Sequence, residues 1–369
     1  MELPNDLFTE VLVRLPLKDI LISRCVCRTW NILISNPYFS SYYAKNSPYT
    51  SIFITQAFSK LKSLSLLQFS ANEELSLYSR YISIKPKVPR VVDINSDPWV
   101  TIIGSCDGSL FLLHTSVYLD DRVIDKIYLC NPLFERCVKI AEDIGNSQWG
   151  VSKYEVGYIP STNSYKLLRF GYDGGRVKEA KIFTVGVDKD WRIVEDPFTF
   201  LESWSQGVCF NGAYHWVAYS ENLVNIFTFD LLEEKCSGIP NPPGLLLFSL
   251  PKVSVTILNG RLSLVDCSDG FQMNIWTMDK YGVAESWFRN IILLKHWFPY
   301  SKYFYLKNFL PIAVLPNGNI IFLETESGSL YFFSLEEKQC SQIKLRGVDH
   351  QLAIVMADAF EPRFYSLRK

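Results

Sequence analysis

The sequence predicts a small all-α unit of three helices followed by an all-β domain, a β-propeller of about six blades. Three observations carry that prediction. Apolar residues recur every three to four positions as far as Pro37. From Ser51 onward, short runs rich in β-branched and aromatic residues replace that period. Tight-turn signals punctuate those runs at a spacing of roughly 50 residues, the length of a four-stranded blade.

Leu3, Leu7, Val11, Leu12 and Leu15 share one helical stripe. Pro4 suits its first turn, where a missing N–H has no helical partner to lose, and Pro16 ends it. Leu17, Ile20 and Leu21 form a second stripe, and Val26, Trp30, Leu33 and Ile34 a third that Asn36-Pro37 closes. A unit well below about 70 residues rarely holds itself together with one small core, so part of this apolar surface is expected to sit against another chain. Period alone does not separate the residues that point outward from those that join the helices. Three helices would also serve a helix-turn-helix. Here, though, Arg14, Lys18, Arg24, Arg28 and Lys45 are nearly matched by Glu2, Asp6, Glu10 and Asp19, and no phosphate-attracting field builds up.

In the second part, Cys106-Asp107-Gly108, Pro160 to Asn163, Asn211-Gly212, Asn259-Gly260 and Asn317-Gly318 each separate two apolar runs. Asn-Gly and Asp-Gly suit the positive backbone angles of a tight hairpin. Five units follow: Val100 to Leu113 with Lys126 to Ile140, Tyr154 to Gly171 with Ala180 to Val194, Gly207 to Tyr219 with Val224 to Ile239, Val253 to Val265 with Met273 to Ile292, and Leu310 to Leu323 with Ser329 to Leu345. Ser51 to Ile84 supplies a further blade, and Leu352 to Leu367 a strand that closes the ring with it, since closure removes exposed edges. The expected division is a helical domain over 1–45, a linker and first blade over 46–95, and the remaining propeller over 96–369.

At 369 residues, 48% of them apolar, the chain has ample material for one large core beside the helices. A formal net charge of −1 and a pI near 6.5 argue against nucleic acid or a membrane surface as a partner held by bulk charge. No apolar run reaches about 18 residues and no charged-then-apolar leader opens the sequence, so neither a membrane span nor a secretory signal is expected. Nine cysteines form no Cys-x-x-Cys pair and no Asn-x-Ser/Thr sequon is present, which points to reduced, buried thiols in a cytoplasmic and/or nuclear protein.

The run Leu3-Pro4-x-Asp6-Leu7-x-x-Glu10-Val11-Leu12-x-Arg14-Leu15-Pro16-x-Lys18, then Arg24-Cys25-Val26-Cys27-Arg28-x-Trp30 and Leu33-Ile34-x-x-Pro37-x-Phe39, resembles the F-box of plant F-box proteins. That resemblance implies docking of a Skp-type adaptor, and through it a cullin and a RING subunit, in a ubiquitin-protein ligase. Carried over position by position, Leu3, Pro4, Leu7, Val11, Leu12, Leu15, Pro16, Leu17, Ile20, Val26 and Trp30 lie in or support the adaptor surface. Further on, the sequence is similar to the F-box-associated domain of plants, which is related in outline to kelch-type propellers. The stretches that carry this likeness include Gly104-Ser105-Cys106-Asp107-Gly108, Gly157-Tyr158-x-Pro160, Phe210-Asn211-Gly212-x-x-His215-Trp216 and Tyr281-Gly282-Val283-x-Glu285-Ser286-Trp287.

Residues suited to chemistry are sparse. His114, His215, His296 and His350 fall in no metal-ligand spacing, so no metal or cofactor is expected. His215, beside Trp216 in an alternating strand, reads as framework. Glu233-Glu234 and Glu336-Glu337 read as solvated turn charges, and Gly171 to Gly175 opens no helix that would make a phosphate loop. The resemblance then implies a non-catalytic role: a receptor that holds a protein target for ubiquitination and proteasomal degradation. The alternative is a propeller that binds or sequesters a protein or small ligand and uses the F-box only for anchoring or self-turnover. Trp149, Tyr172 and Arg176 on neighbouring units, and Trp297, Phe298 and Tyr300 in an aromatic segment, are the candidate target contacts. The competing reading packs those aromatics between blades.

Overall fold

Pro37 opens a fourth helix instead of closing the third. The helices are α1 (Asn5–Leu12), α2 (Leu17–Ser23), α3 (Arg28–Ile34) and α4 (Pro37–Asn46). Pro37 occupies the first turn of α4, where the N–H it lacks would be unsatisfied anyway, and the Asn36 side chain accepts the Tyr38 N–H at 2.9 Å. Pro16 stands one position earlier relative to α2, as the extended residue (φ −61, ψ 154) immediately before the helix, and makes no side-chain cap. The structure is a computed structural model that describes residues 5–56, 64–70, 80–84, 99–106, 109–117, 122–134, 136–146, 153–173, 176–195, 207–220, 223–245, 253–267, 272–293, 309–325, 327–334, 336, 339–343, 354–359 and 362–363. Leu3 and Pro4 lie outside them.

Among the described residues the strands form six four-stranded antiparallel sheets. Blade 1 takes its inner strand, Ile354–Ala359, from the far end of the chain and pairs it with Tyr49–Gln56, so the ring is closed by its last strand. Blades 2 to 6 follow in sequence, with inner strands Trp99–Cys106, Lys153–Ile159, Val208–Phe210, Val253–Leu258 and Phe309–Val314. From blade 2 through blade 6 and on to blade 1, each inner strand contacts the next around a central axis. The hairpin signals act through their backbones. Asn211 and Gly212 have φ of 53 and 77, and Asn259 and Gly260 have φ of 51 and 67, the two left-handed residues that a two-residue hairpin with the strand's own twist requires.

Packing lies in the seams between blades. Five apolar clusters join blades 2–3, 3–4, 4–5, 5–6 and 6–1. The sixth, between blades 1 and 2, recruits the helices: Leu12, Leu17, Ile20, Ile34, Phe39 and Tyr43 pack with Phe53 and Leu66 of blade 1 and with Tyr128 and Cys130 of blade 2. Polar ties reinforce seam 3–4. Glu234, read from the sequence as a solvated turn charge, instead bridges blades: Arg192 donates to it at 2.7 and 3.0 Å and Lys166 at 2.7 Å. The Arg192 hydrogen bonds, with Lys166, hold its carboxyl down to about 2.

The expectation of uniformly reduced, buried thiols is also corrected. Cys130 and Cys137 form a disulfide, and Cys25 and Cys27 are exposed. The reason is register: Cys130 and Cys137 sit directly opposite each other on paired strands of blade 2, on either side of the one-turn 3-10 helix Pro132–Phe134.

His215 is framework, as read from the sequence. It is fully buried, with Nε2 2.8 Å from the Tyr281 hydroxyl and Nδ1 3.3 Å from the Val208 carbonyl. A carbonyl only accepts, so Nδ1 carries the proton and Nε2 accepts from Tyr281. Burial pushes its pKa down to about 4. Unfolding restores the ordinary value near 6.5, so the unfolded chain binds the extra proton first. The contribution is complete above about pH 6.5 and is lost as pH falls toward 4, by roughly 3 kcal/mol at most. We expect the urea midpoint to fall between pH 6.5 and 4, and a His215→Gln variant to start lower but to lack that part of the slope. Parallel slopes in the two proteins would refute this assignment.

Candidate functional site

The candidate site is the outer side of the four helices, and its geometry follows from which residues the seam consumes. On α1, Leu12 turns inward while Leu7 and Val11, one turn apart on the opposite face, are more than half exposed. On α2, Leu17 and Ile20 are buried, and Ile22 is 57% exposed. Val26 between α2 and α3, Ile32 on α3 and Tyr38 on α4 are exposed to 62, 63 and 69%. Six large apolar side chains facing solvent on so small a unit make a surface that favours burial.

The helices are held together by specific contacts. Phe8 meets Trp30 edge to face at 5.5 Å, tying α1 to α3. Tyr42 on α4 donates to Glu10 on α1. Arg24 donates to Asn31 Oδ1 at 3.1 Å and to Ser35 Oγ at 3.0 Å, linking the end of α2 to α3. Cys27, the residue before α3, accepts the Trp30 N–H on its sulfur at 3.5 Å.

The joint to the propeller is polar at its centre. Buried Gln68 on blade 1 accepts the Leu17 N–H at 2.9 Å, one of the unpaired donors at the start of α2, and donates to the Tyr43 hydroxyl at 3.0 Å. Tyr43 in turn donates to the Leu15 carbonyl at 3.1 Å. Beside this chain of bonds the Arg24 guanidinium lies 4.4 Å over the Phe134 ring of blade 2.

Of the residues expected at the adaptor surface, Leu7, Val11 and Val26 are exposed, and Leu15 and Trp30 are half-buried. Leu12, Pro16, Leu17 and Ile20 are buried. Sequence reading missed Ile22, Ile32 and Tyr38. The signal was present for two of them, because Ile22 and Ile32 are apolar residues off the stripe of their own helix.

Of the candidate target contacts, Trp149, Trp297, Phe298 and Tyr300 lie outside the described residues. Tyr172, expected to touch a target, is instead buried in seam 3–4, as the competing reading has it, and burial raises its hydroxyl pKa. Arg176 opens the strand Arg176–Thr184, paired with Asp173. In an up-and-down sheet, the turns after the first and third strands share one end. The turns at Asn163, Asn211-Gly212, Asn259-Gly260 and Pro132–Phe134 therefore mark one end of the propeller, and the chain enters blade 1 from the helices at Tyr49 at that same end. Tyr172 and Arg176 flank a turn at the opposite end, as do the strand ends bordering 147–152 and 294–308. Among the described residues no cluster of three metal-ligating side chains occurs, and no helix is long and apolar enough to cross a membrane.

Comparison with known proteins settles the family. The model of the F-box associated beta propeller domain matches residues 56–364, and that of the F-box domain matches residues 1–42. The chain belongs to the F-box-associated β-propeller family. Its helices are an F-box. Relatives in Arabidopsis thaliana include the F-box protein DOR, 24% identical over 94% of this chain and 88% of that one, and an F-box/kelch-repeat protein, 25% identical over 88% of this chain and 86% of its own length. A putative F-box protein of the same plant is 26% identical over 92% of this chain and 75% of its own. In this F-box protein, then, the F-box is packed into a seam of the propeller and not merely tethered to it.

Proposed function

We propose that this F-box protein is the substrate-recognition subunit of an SCF-type ubiquitin-protein ligase, acting in the cytoplasm and/or nucleus. The observation that carries the reading is the division of the F-box into two sides, one packed into the blade 1–2 seam and one apolar and exposed. Leu7, Val11 and Val26, with Leu3, Pro4 and Trp30, dock the Skp-type adaptor. Leu12, Leu15, Pro16, Leu17 and Ile20 support that face from behind. The adaptor brings the cullin and the RING subunit, and the propeller holds the target at the end that Arg176 borders, with Trp149, Trp297, Phe298 and Tyr300 as further candidates.

The chain performs no chemistry in this reading. Its contribution is position: a joint with a packed core and a hydrogen-bonded centre holds the target at a fixed distance from the ubiquitin-conjugating site, and a fixed geometry raises effective concentration.

The test is copurification of the full-length protein and a Leu7→Asp/Val11→Asp variant with a Skp-type adaptor and cullin. Both positions are solvent-exposed, so circular dichroism and the melting temperature are expected to stay unchanged. Adaptor binding is expected to weaken at least roughly tenfold, since a charge in the centre of an apolar interface costs more than one hot-spot contact. Wild-type protein that recovers no adaptor would refute the reading, as would a variant that recovers it undiminished.

A further inference from the structure

Two cysteines from non-adjacent blades meet at the turn end of the propeller axis. Cys106 ends the inner strand of blade 2 and Cys209 lies in the inner strand of blade 4, with the inner strand of blade 3 between them. Glycines let these strands close on one another. A Cβ on Gly104 would come 2.7 Å from Val156, and one on Gly157 would come 2.3 Å from Leu231 and 3.2 Å from the Cys209 sulfur. With no side chain on Gly157, the Cys209 sulfur reaches the backbone of blade 3, accepting the Tyr158 N–H at 3.4 Å and donating to its carbonyl at 3.8 Å. The Cys106 thiol hydrogen-bonds to Cys209. Both side chains are partly exposed.

From this juxtaposition we infer that Cys106 and Cys209 are a redox-modification site, a dithiol that a peroxide converts into a disulfide bridging blades 2 and 4 across blade 3. The surroundings distinguish this pair from the other thiols. Hydrogen bonds from Cys106 and the Tyr158 N–H hold Cys209 below the ordinary thiol value against the opposing effect of burial, which favours the nucleophilic thiolate. Cys340, by contrast, is pushed up to about 12 by burial, and Cys267 is buried. In the first step the Cys209 thiolate attacks hydrogen peroxide; an S–O bond forms, the O–O bond breaks, and the departing hydroxide takes a proton to become water. In the second step the Cys106 sulfur attacks the Cys209 sulfenic acid; the S–S bond forms, the S–O bond breaks, and the hydroxyl leaves as water with the Cys106 proton. Two thiols are oxidised by two electrons, and one peroxide is reduced to two waters.

The experiment exposes the full-length protein to graded hydrogen peroxide, blocks remaining thiols with N-ethylmaleimide and maps linked peptides by mass spectrometry without reductant. The expected result is a Cys106–Cys209 linked peptide that appears several-fold faster than oxidation of exposed Cys25 and Cys27. In a Cys106→Ser variant the link is lost and Cys209 accumulates as a dimedone-trapped sulfenic acid. The inference is overturned if wild-type Cys209 is recovered as its maleimide adduct while Cys25 and Cys27 oxidise, or if Cys209 links to a different cysteine. The wild-type arm needs no substitution, so a variant that fails to fold leaves the test decisive.

Discussion

Trp216→Ala is expected to lower the unfolding free energy by about 3–5 kcal/mol, the range for deleting a buried large aromatic. Trp216 is 1% exposed at the centre of seam 3–4. Phe170 of blade 3 meets it edge to face at 6.0 Å, and Tyr214 lies at 4.7 Å on its own strand. The backbone of Gly207 lies so close that a Cβ there would come 2.4 Å from the indole nitrogen. Rigid strands surround the ring on each side, so little can move in to fill the space, and the residual cavity adds its own cost. Such a loss consumes a large part of the roughly 5–15 kcal/mol that separates a folded domain from its unfolded chain. Urea titration followed by tryptophan fluorescence and circular dichroism measures it. A drop below about 1 kcal/mol would mean that the seam collapses around the gap, contrary to the packing described.

The second large effect is expected at Ile20. It is fully buried and belongs to the cluster that runs from the F-box into blades 1 and 2. Ile20→Ala is expected to cost about 2–5 kcal/mol. Because the same core serves both parts, the loss is not confined to the helices: helical and sheet signals are expected to melt together, at a lower temperature than in the wild type. Separate transitions, with the helices unfolding first and the blades unshifted, would show that the F-box is an independent unit and would undo the rigid-joint argument.

Much of the fold was legible because each blade is built from local signals. Asn211-Gly212 and Asn259-Gly260 state their turn in two residues, and the strands on either side pair with near neighbours in sequence. What was hidden depends on partners far along the chain. Glu234 reads as a turn charge until Arg192 and Lys166 of another blade reach it. Gln68 looks like one polar residue in an apolar strand, and nothing local says that it receives the first N–H of α2. Pro37 is an ambiguous mark, since proline both follows one helix and opens the next. The candidate docking face was half legible. The apolar period located the helices, but the division of Leu7 and Val11 from Leu12, Leu17 and Ile20 was set by a propeller surface absent from the motif itself.

The strand Ile354–Ala359 completes the blade whose second strand begins only a few residues after the F-box. During synthesis the F-box emerges well ahead of Ile354–Ala359, so the sheet it packs against lacks its inner strand until the five intervening blades have been made. A polypeptide cut short before Ile354 is an F-box attached to an open ring. The support of the candidate docking face thereby depends on a strand translated after all the other blades.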